Sequence, residues 1–409
     1  MKIRSITTFY DPALNPPDPT LDRLALFAQE AEAACKKQGL AVQSLRLATS
    51  PFPAWAPSLQ EADMASLAFD FERQANESGF SYLSLGTALP ETPTSFAPIP
   101  AILAATRSVF VTGSMTGDHG KVSLNAVKAC GEIVSKAATI TPDGFTNLRF
   151  AALGNVPAGS PFLPSAYHTP GTSPTVALAV ECADVVLDVF SQAETLANAR
   201  QELLGRLEGV SHEMQNALSG ACDRYGIRFL GIDFSPAPYP SMECSSGAAL
   251  EALGLSRLGL SGTLAASAFL ADTLDRGNWP RAGFNGLMLP VLEDVTLSAR
   301  AADGSLTVKD LLMVSAVCGT GLDTIPLPGD ATPAQLSALL FDVAVMSQRL
   351  DKPLTARLMP IQGKAAGDPT DFDFEFFSNS RVMALPAEPL HGLFAGDEWI
   401  DLHPRSSYR

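Results

Sequence analysis

The chain alternates between short apolar runs typical of β-strands and longer amphipathic runs typical of α-helices. In the first helix-like run, Leu24, Phe27, Ala28 and Ala31 recur at the spacing of one helix face. Strands joined through helices imply right-handed crossovers between parallel neighbours. The alternation therefore predicts an α/β fold on one large parallel sheet, with nine strand-like runs: IRSITTFY, VQSLRLAT, YLSLGTAL, SVFVTGSM, LRFAALGN, TVALAVE, RFLGIDFS, GLMLPVLED and TARLMPI.

So many strand-like runs favour a closed or nearly closed barrel over a modest open sheet. We predict a single α/β barrel of about ten strands with surrounding helices. It covers residues 1–385, and an irregular tail covers residues 386–409. No internal repeat, charge block or low-complexity linker divides the chain, which favours one domain.

The balance of charge and apolar residues excludes several classes of protein. The formal net charge of −15 repels nucleic-acid backbones, so nucleic acid is not an expected partner. No apolar run is long enough to span a membrane, and the N-terminus lacks the apolar core of a secretory signal. The six cysteines include no C-x-x-C pair, which favours a reducing compartment. We therefore expect a soluble cytoplasmic protein.

The stretch VCGTGLDTIPLPGD, residues 317–330, places a thiol and two carboxylates among glycines and prolines. It follows the helix-like run LTVKDLLMVSAV, and its composition predicts a rigid, non-helical loop. Cys318 is the one cysteine followed directly by a glycine-rich turn, whose N–H groups can face an anion. Cys318 is thus a candidate nucleophile or acid, Asp323 a candidate activating group, and Thr320 a candidate substrate ligand.

Two further loops follow strand-like runs, where ligands bind in parallel α/β folds. His168 lies in a loop stiffened by four prolines, which fits a general base or a structural histidine. Asp233 ends the run RFLGIDFS beside Ser235, and its apolar neighbours predict a partly buried carboxylate. Asp233 fits either a catalytic group or an organiser of the proline turns that follow it.

Cationic and hydroxyl side chains complete the predicted site. Arg357 lies within the strand-like run TARLMPI, where an unpaired charge is costly, so it requires a carboxylate partner from protein or ligand. Lys364 follows in a loop and can reach a site or remain exposed. Ser114, with Asp118 nearby, precedes a helix whose N-terminus either binds an anion or is merely capped.

Several of these motifs match a known family nearly residue for residue: RLATSPFP, SPFLPSAYH, IDFSPAPYP, VCGTGLDTIPLPGD, DKPLTARLMPIQGKAAGD and SNSRVM. The chain resembles domain of unknown function family 711, also called uncharacterised protein family 0210, over most of its length. The resemblance implies a barrel like that of pyruvate formate-lyase and the other glycyl radical enzymes, and it implies a homodimer. Fold-level resemblance does not carry a reaction across.

Glycyl radical enzymes carry the motif R-V-x-G-aromatic near the C-terminus, because the radical is stored on that glycine. The nearest string here is Arg381-Val382-Met383-Ala384-Leu385. Alanine stands in the glycine position and no aromatic residue follows it. The chain is therefore not expected to be a glycyl radical enzyme.

Three hypotheses of function follow from these residues. The first is a non-radical hydrolase or lyase for a small polar or anionic metabolite. Its catalytic residues are Cys318, His168, Asp233 and Asp323, and its substrate ligands are Arg357, Lys364, Ser235, Thr320 and Ser114. The second is a non-catalytic protein that binds or senses a metabolite through the same loops. The third is a metal-dependent enzyme using His168, Asp233 and Asp323, although no metal-binding spacing supports it. No cofactor is indicated.

Overall fold

The computed structural model describes residues 1–14, 21–117 and 120–405, and shows a mixed α/β fold on a nine-stranded sheet. The strand order in this sheet is β8-β7-β1-β2-β3-β4-β6-β10-β9, and β5 pairs with β11 in a separate small sheet. The strands are β1 (Lys2–Tyr10), β2 (Leu45–Thr49), β3 (Tyr82–Ala88), β4 (Val109–Ser114), β5 (Lys121–Ser123), β6 (Phe150–Gly154), β7 (Thr175–Glu181), β8 (Arg228–Ala237), β9 (Gly321–Pro328), β10 (Leu354–Ile361) and β11 (Trp399–Asp401).

Helices connect most of these strands, as the amphipathic runs predict. Their ends follow the expected capping chemistry: the Thr332 hydroxyl accepts from the Gln335 N–H, and Gly226 ends a 30-residue helix in the left-handed region. The helices are α1 (Leu21–Lys37), α2 (Glu61–Glu77), α3 (Ile99–Ala105), α4 (Leu124–Ala137), α5 (Ala183–Gln192), α6 (Leu196–Tyr225), α7 (Ser246–Glu251), α8 (Thr263–Asp275), α9 (Val295–Ala302), α10 (Val308–Val314) and α11 (Pro333–Arg349).

The sheet is mostly, but not entirely, parallel. Strands β1, β2, β3, β4 and β6 run in one direction. The pairs β7–β8 and β9–β10 are each parallel inside, but they join this block through antiparallel contacts to β1 and β6. The end of the sheet where the first block begins is therefore the end where the two outer pairs finish.

Two sequence predictions about strands were wrong. The run GLMLPVLED contains no regular strand, because Gly286 approaches Gly319 closely and Pro290 lacks an N–H; Pro290 forms only an isolated bridge to Asp323. The stretch GLDTIPLP, predicted as a loop, is strand β9. It lies at an edge of the sheet, where its prolines are tolerated.

The chain between residues 281 and 290 contacts both edge strands of the sheet. Arg281 bridges to Ile232 of β8, and Pro290 bridges to Asp323 of β9, both in the parallel sense. The nine-stranded sheet itself is not closed by regular strand pairing within the described ranges. The barrel predicted from the number of strands stays a prediction.

The C-terminal part of the chain contributes one strand to the small sheet. β11 pairs antiparallel with β5, with Ile400 opposite Val122. Among the helices of residues 1–14, 21–117 and 120–405, none has the length and apolar character required to cross a lipid bilayer.

Candidate functional site

A cavity of about 480 Å³ lies against the first block of strands, close to the end where those strands begin. One residue from an early position of each strand lines it: Arg4 of β1, Arg46 of β2, Tyr82 of β3, Phe110 of β4 and Ala151 of β6. The cavity is therefore lined at the amino ends of these five strands. Ligand-binding loops were predicted at their carboxyl ends.

A segment of the 155–174 loop packs against the same strands as the cavity, further along them toward their carboxyl ends. The Pro161 carbonyl accepts from the Thr7 hydroxyl at 2.8 Å, and the Ala166 carbonyl accepts from the Ser84 hydroxyl at 2.6 Å. The His168 N–H donates to the Thr49 carbonyl, at the last residue of β2, at 2.9 Å. These bonds hold the loop against the middle of β1 and β3 and the carboxyl end of β2, and the cavity residues Arg4, Arg46 and Tyr82 lie closer to the amino ends of the same strands.

The opposite wall of the cavity carries charged residues. Asp323 of β9 and Arg357 of β10 line it, together with Glu293 from the irregular stretch before α9. The segment of residues 374–376 and Phe145 add aromatic rings to the lining. The cavity thus combines a polar wall with an aromatic one.

Two β-bulges bring charged side chains to this cavity. Between β9 and β10, Asp323 and Thr324 together stand opposite the single residue Arg357, and Thr324 takes a φ of 45°. Between β1 and β7, Arg4 is the extra residue. A bulge interrupts the alternation of side chains and turns one toward a new direction. Each bulge therefore redirects the strand at a charged residue of the cavity wall.

Arg357 and Arg4 hold three carboxylates in a continuous chain of ion pairs. Arg357 Nε donates to Asp323 Oδ1 at 2.5 Å, and its Nη2 donates to Glu293 Oε1 at 2.8 Å. Arg4 Nη2 donates to Glu293 Oε2 at 2.7 Å, and Arg4 also contacts Glu181 at 3.4 Å. The partner that the sequence required for Arg357 is therefore a pair of protein carboxylates.

The buried charges in this chain shift one another's protonation. Burial raises the pKa of Asp323, and Glu293 adds to the rise, while Arg357 opposes it. Burial lowers the pKa of Arg357, but Asp323 and Glu293 outweigh it and the net shift is upward. Asp323 is thus a buried carboxyl group whose protonated form is favoured more than in water, while Arg357 keeps its charge.

Arg46 is the buried cation of the cavity that no carboxylate balances. Its side chain is 8% exposed, its Nε donates to Ser44 Oγ at 3.0 Å, and its guanidinium lies 5.5 Å from the centroid of the Tyr82 ring. Within the described ranges, its Nη1 and Nη2 have neither an ion pair nor a hydrogen bond. Burial, and then the charge of Arg4, lower the pKa of Arg46 to about 9. Because arginine keeps its proton at neutral pH, the group requires an anion.

A second buried arginine in the lining has a structural role. Arg149 donates from Nη2 to the Leu103 carbonyl at 2.7 Å and from Nη1 to Thr106 and the Val109 carbonyl. Burial lowers its pKa to about 10, and Glu72 counteracts this. Its donors therefore satisfy the end of α3 and the start of β4.

Cys318 and Thr320 lie just before β9, which begins at Gly321. Cys318 is 2% exposed and packs in the hydrophobic core, and it does not line the cavity. Thr320 does line the cavity, and its hydroxyl donates to the Leu287 carbonyl at 2.5 Å. Of the residues predicted from this motif, Thr320 and Asp323 meet at the cavity and Cys318 does not.

His168 and Asp233 lie outside the cavity lining, and each is bonded within the protein. His168 Nε2 is 3.1 Å from the Thr172 carbonyl oxygen, and burial lowers the pKa of this imidazole. Asp233 is fully buried and accepts from the Ser235 hydroxyl at 2.6 Å and from the Phe284 N–H at 2.7 Å. Asp233 and Ser235 thereby join β8 to residues 283–286.

Lys364 and Ser114 also lie away from the cavity. Lys364 forms an ion pair with Asp371 at 2.8 Å and donates to the Pro369 carbonyl at 2.6 Å. The Ser114 hydroxyl donates to the Thr116 carbonyl at 2.6 Å. Asp118, predicted beside Ser114, lies outside the described residues. Among the nine predicted site residues, the structure brings together Arg357, Asp323 and Thr320 at the cavity.

Sequence reasoning missed Arg4, Arg46 and Glu293. Arg4 and Arg46 lie within the strand-like runs IRSITTFY and VQSLRLAT, the same context that singled out Arg357. Applying the cost of an unpaired buried charge to every strand-like run would have found both arginines. Glu293 lies in a run wrongly taken for a strand, and its role depends on distant contacts.

No group of three His, Cys, Asp or Glu side chains suited to a metal ion occurs in the described parts of the chain. The three residues of the metal hypothesis each have a different protein partner. His168 contacts Thr172, Asp233 accepts from Phe284, and Asp323 accepts from Arg357. The residues present therefore identify an ionic and aromatic cavity as the candidate site.

Comparison with known proteins places the chain among relatives of unassigned function. The family described as Uncharacterised ACR (DUF711) matches residues 1–378. A UPF0210 protein of Pyrobaculum islandicum is 31% identical over 375 residues, which cover 87% of this chain and 80% of the relative. A UPF0210 protein of Neisseria meningitidis is 28% identical over 349 residues, covering 82% and 77%. The chain belongs to the DUF711 family of uncharacterised proteins.

Proposed function

We propose that this protein binds a small organic anion in the cavity between β1–β4 and β9–β10. The observation that carries the proposal is Arg46, a guanidinium that is 8% exposed, lines the cavity and has no carboxylate partner among the described residues. A buried charge without a partner is costly, and natural proteins retain one mainly where a ligand completes it. The cavity volume falls in the range of small-molecule sites.

The charge balance of the surroundings supports this proposal. The cations Lys2, Arg4 and Arg357 are matched by Glu181, Glu293 and Asp323 through direct ion pairs. When Asp323 is ionised this set is neutral, and Arg46 adds one positive charge to it. The interior therefore favours a ligand that brings a negative charge.

Asp323 is the residue that favours an enzyme over a binding protein. It lines the cavity, and burial raises its pKa, which makes a protonated Asp323 able to act as a general acid more accessible than in water. In a hydrolytic cleavage, water would form the new bond to the electrophilic atom of the substrate and release a proton to solvent, while protonated Asp323 gives its proton to the leaving group, which departs with the electrons of the broken bond. In a lyase-type cleavage, the electrons of an adjacent C–H bond would form the new double bond as its proton leaves to solvent. Arg357 would then hold the resulting carboxylate. Cys318, His168 and Asp233 stay predicted catalytic residues that this step does not use.

The alternative is a binding or regulatory protein that uses the same cavity without turnover. The two are separated by incubating the protein with an extract of small metabolites and following the extract by mass spectrometry. An enzyme depletes at least one organic acid, and Asp323→Asn abolishes the depletion while retaining ligand binding. A binding protein leaves the composition of the extract unchanged in both cases.

The test of anion binding uses acetate, phosphate and sulfate as separate probes in a thermal unfolding assay. Because a ligand of the folded state stabilises it, we expect at least one probe to raise the unfolding temperature of the unmodified protein. Arg46→Gln should abolish that rise. Arg73→Gln, on the exposed face of α2, is the matched control and should retain it. No rise with any of these probes, together with no binding of the aromatic carboxylate used in the next experiment, would remove the proposal.

Four further predictions belong with this proposal. We propose that the sheet closes into a barrel through residues 281–290, supported by the bridges to β8 and β9. The homodimer and the likeness to the pyruvate formate-lyase barrel, both implied by family resemblance, stay predictions, as does a cytoplasmic location. Measurement of the molar mass in solution tests the homodimer directly.

A further inference from the structure

The cavity has an aromatic lining in addition to its charged wall. Six phenylalanines border it, and they come from strands, loops and the segment before the C-terminal tail: Phe110, Phe145, Phe162, Phe284, Phe374 and Phe376. Such a lining stabilises a bound group by apolar burial and ring contacts. An inorganic anion, which is fully polar, would gain nothing from it.

Aromatic rings lie beside two of the arginines that line the cavity, Arg46 and Arg4. Arg46 lies over Tyr82, whose ring is 5.6 Å from Phe110 in an edge-to-face contact. The guanidinium of Arg4 lies 5.9 Å from the Phe376 ring. The cationic and aromatic parts of the lining are therefore adjacent, so one small molecule can contact both.

A row of aromatic rings runs along the cavity from Phe376, the ring beside Arg4. Phe376 is 5.3 Å from Phe374, and Phe374 is 5.0 Å from Phe145. These rings come from residues 374–376 and from the turn before β6. An apolar group attached to the bound anion can therefore lie along this row of rings, which begins beside Arg4.

The charge of the site selects among anions. Among the described residues, Arg46 is a buried cation of the lining whose Nη1 and Nη2 have neither an ion pair nor a hydrogen bond, whereas the Nη atoms of Arg149 donate to carbonyls and to Thr106. At the exposed part of the lining, Arg107 and Glu375 carry opposite charges, and Glu72 counteracts the burial of Arg149. A monoanion neutralises Arg46, whereas a dianion would place a second negative charge near the carboxylates Glu293 and Asp323.

The donor geometry also fits a carboxylate. The Nε of Arg46 is occupied by Ser44, which leaves Nη1 and Nη2 as a planar pair of donors. A carboxylate matches such a pair with two parallel hydrogen bonds.

We infer that the ligand of this cavity is a monocarboxylate bearing an aromatic or comparably bulky apolar group. The inference rests on the proposed anion site and names the class of molecule that fits it. Arg46 binds the carboxylate, and the phenylalanine lining excludes water from the apolar part. A carboxylate without an apolar group, or a phosphate ester, fits the site less well.

The experiment measures the affinity of the full chain for four probes by calorimetry. Phenylacetate is the fitting probe, acetate lacks the ring, phenylacetamide lacks the charge, and phenyl phosphate replaces the monoanion by a dianion near neutral pH. We expect phenylacetate to bind at least about tenfold more tightly than each of the other three, as loss of a charge-assisted hydrogen bond or of an apolar ring implies.

Variants identify the residues responsible. Arg46→Gln should weaken phenylacetate binding at least about tenfold, and Arg46→Lys, which keeps the charge but loses the fork, should lie between the two. Phe374→Ala should bring phenylacetate close to acetate without changing acetate itself. Arg73→Gln should change nothing. Circular dichroism confirms that each variant is folded before its affinity is compared.

Each outcome supports or overturns a distinct statement. Equal affinity for phenylacetate and acetate, lost in Arg46→Gln, would leave the anion site standing and overturn the aromatic class of ligand. Tighter binding of phenyl phosphate would overturn the charge argument. If none of the four probes binds and the anion probes above also fail, both the inference and the proposed function are overturned.

Discussion

Arg357 of β10 donates a hydrogen bond from Nε to Asp323 of β9 at 2.5 Å, across a β-bulge between the two strands. The same guanidinium donates to Glu293 at 2.8 Å, so one cation bridges two buried carboxylates. Because both acids lie in the interior, their charges depend on this arginine. The charge balance of this wall of the cavity therefore depends on Arg357.

Replacing Arg357 by methionine should lower the free energy of unfolding by about 3–5 kcal/mol, because Glu293 and Asp323 lose a shared buried partner. Denaturant unfolding followed by circular dichroism measures the change. Adding Asp323→Asn and Glu293→Gln to Arg357→Met should recover part of the loss. Arg73→Met removes an exposed arginine and should change stability by less than about 1 kcal/mol. Equal effects of the two single variants would contradict the buried pairing.

Replacing Arg46 by methionine should have the opposite effect on stability. The buried guanidinium lacks a carboxylate partner, so an apolar side chain of similar length should raise the free energy of unfolding by about 1–2 kcal/mol. The same variant should lose anion binding. Unfolding without ligand and titration with phenylacetate measure the two effects separately. Loss of both stability and binding would show that Arg46 supports the fold rather than a ligand.

The burial of His168 predicts an acid-dependent loss of stability. Burial lowers the pKa of this imidazole below its ordinary value, and Arg228 adds to the fall while Thr172 and Asp11 oppose it. As pH falls below about 6.5, the unfolded chain therefore binds a proton that the folded protein resists, and stability declines. The slope from this residue is at most about 1.4 kcal/mol per pH unit.

His168→Gln should reduce the slope of unfolding free energy against pH by up to about 1.4 kcal/mol per pH unit, which is the contribution of one proton. Stability of the two proteins is measured by denaturant titration at a series of pH values between about 7.5 and 5. His212→Gln, on the exposed surface of α6, controls for the loss of a histidine as such. An unchanged slope in His168→Gln would show that other groups control the acid response.

Gly321 should tolerate no side chain, because β9 approaches β10 closely there. Its φ is +96°, and a Cβ would lie 2.2 Å from the Thr355 carbonyl oxygen. Gly363 also has a positive φ, of +75°, but no heavy atom lies within 4 Å of its Cβ position. Gly363→Ala should cost about 1 kcal/mol of backbone strain, and Gly321→Ala at least about 2 kcal/mol more. Equal losses in denaturant unfolding would contradict the close approach.

Local patterns in the sequence determined most of the sheet. Eight of the nine predicted strand-like runs contain strands, because alternation of apolar side chains is a local property of strand geometry. The need of Arg357 for a carboxylate partner could also be inferred from the sequence, because a charge inside an apolar strand requires one. The same reasoning extends to Arg4 and Arg46.

The tertiary structure alone decided which charges meet and where the cavity lies. Arg357 and Glu293 are 64 residues apart in sequence, and Asp323 faces Arg357 only because a bulge inserts one extra residue into β9. Such register shifts depend on the packing of both strands and leave no period in the sequence. The 155–174 loop packs against β1, β2 and β3 beyond the residues that line the cavity, which leaves the cavity at the amino ends of these strands. The sequence therefore specified the strands and the charges, and long-range contacts determined how they combine into a site.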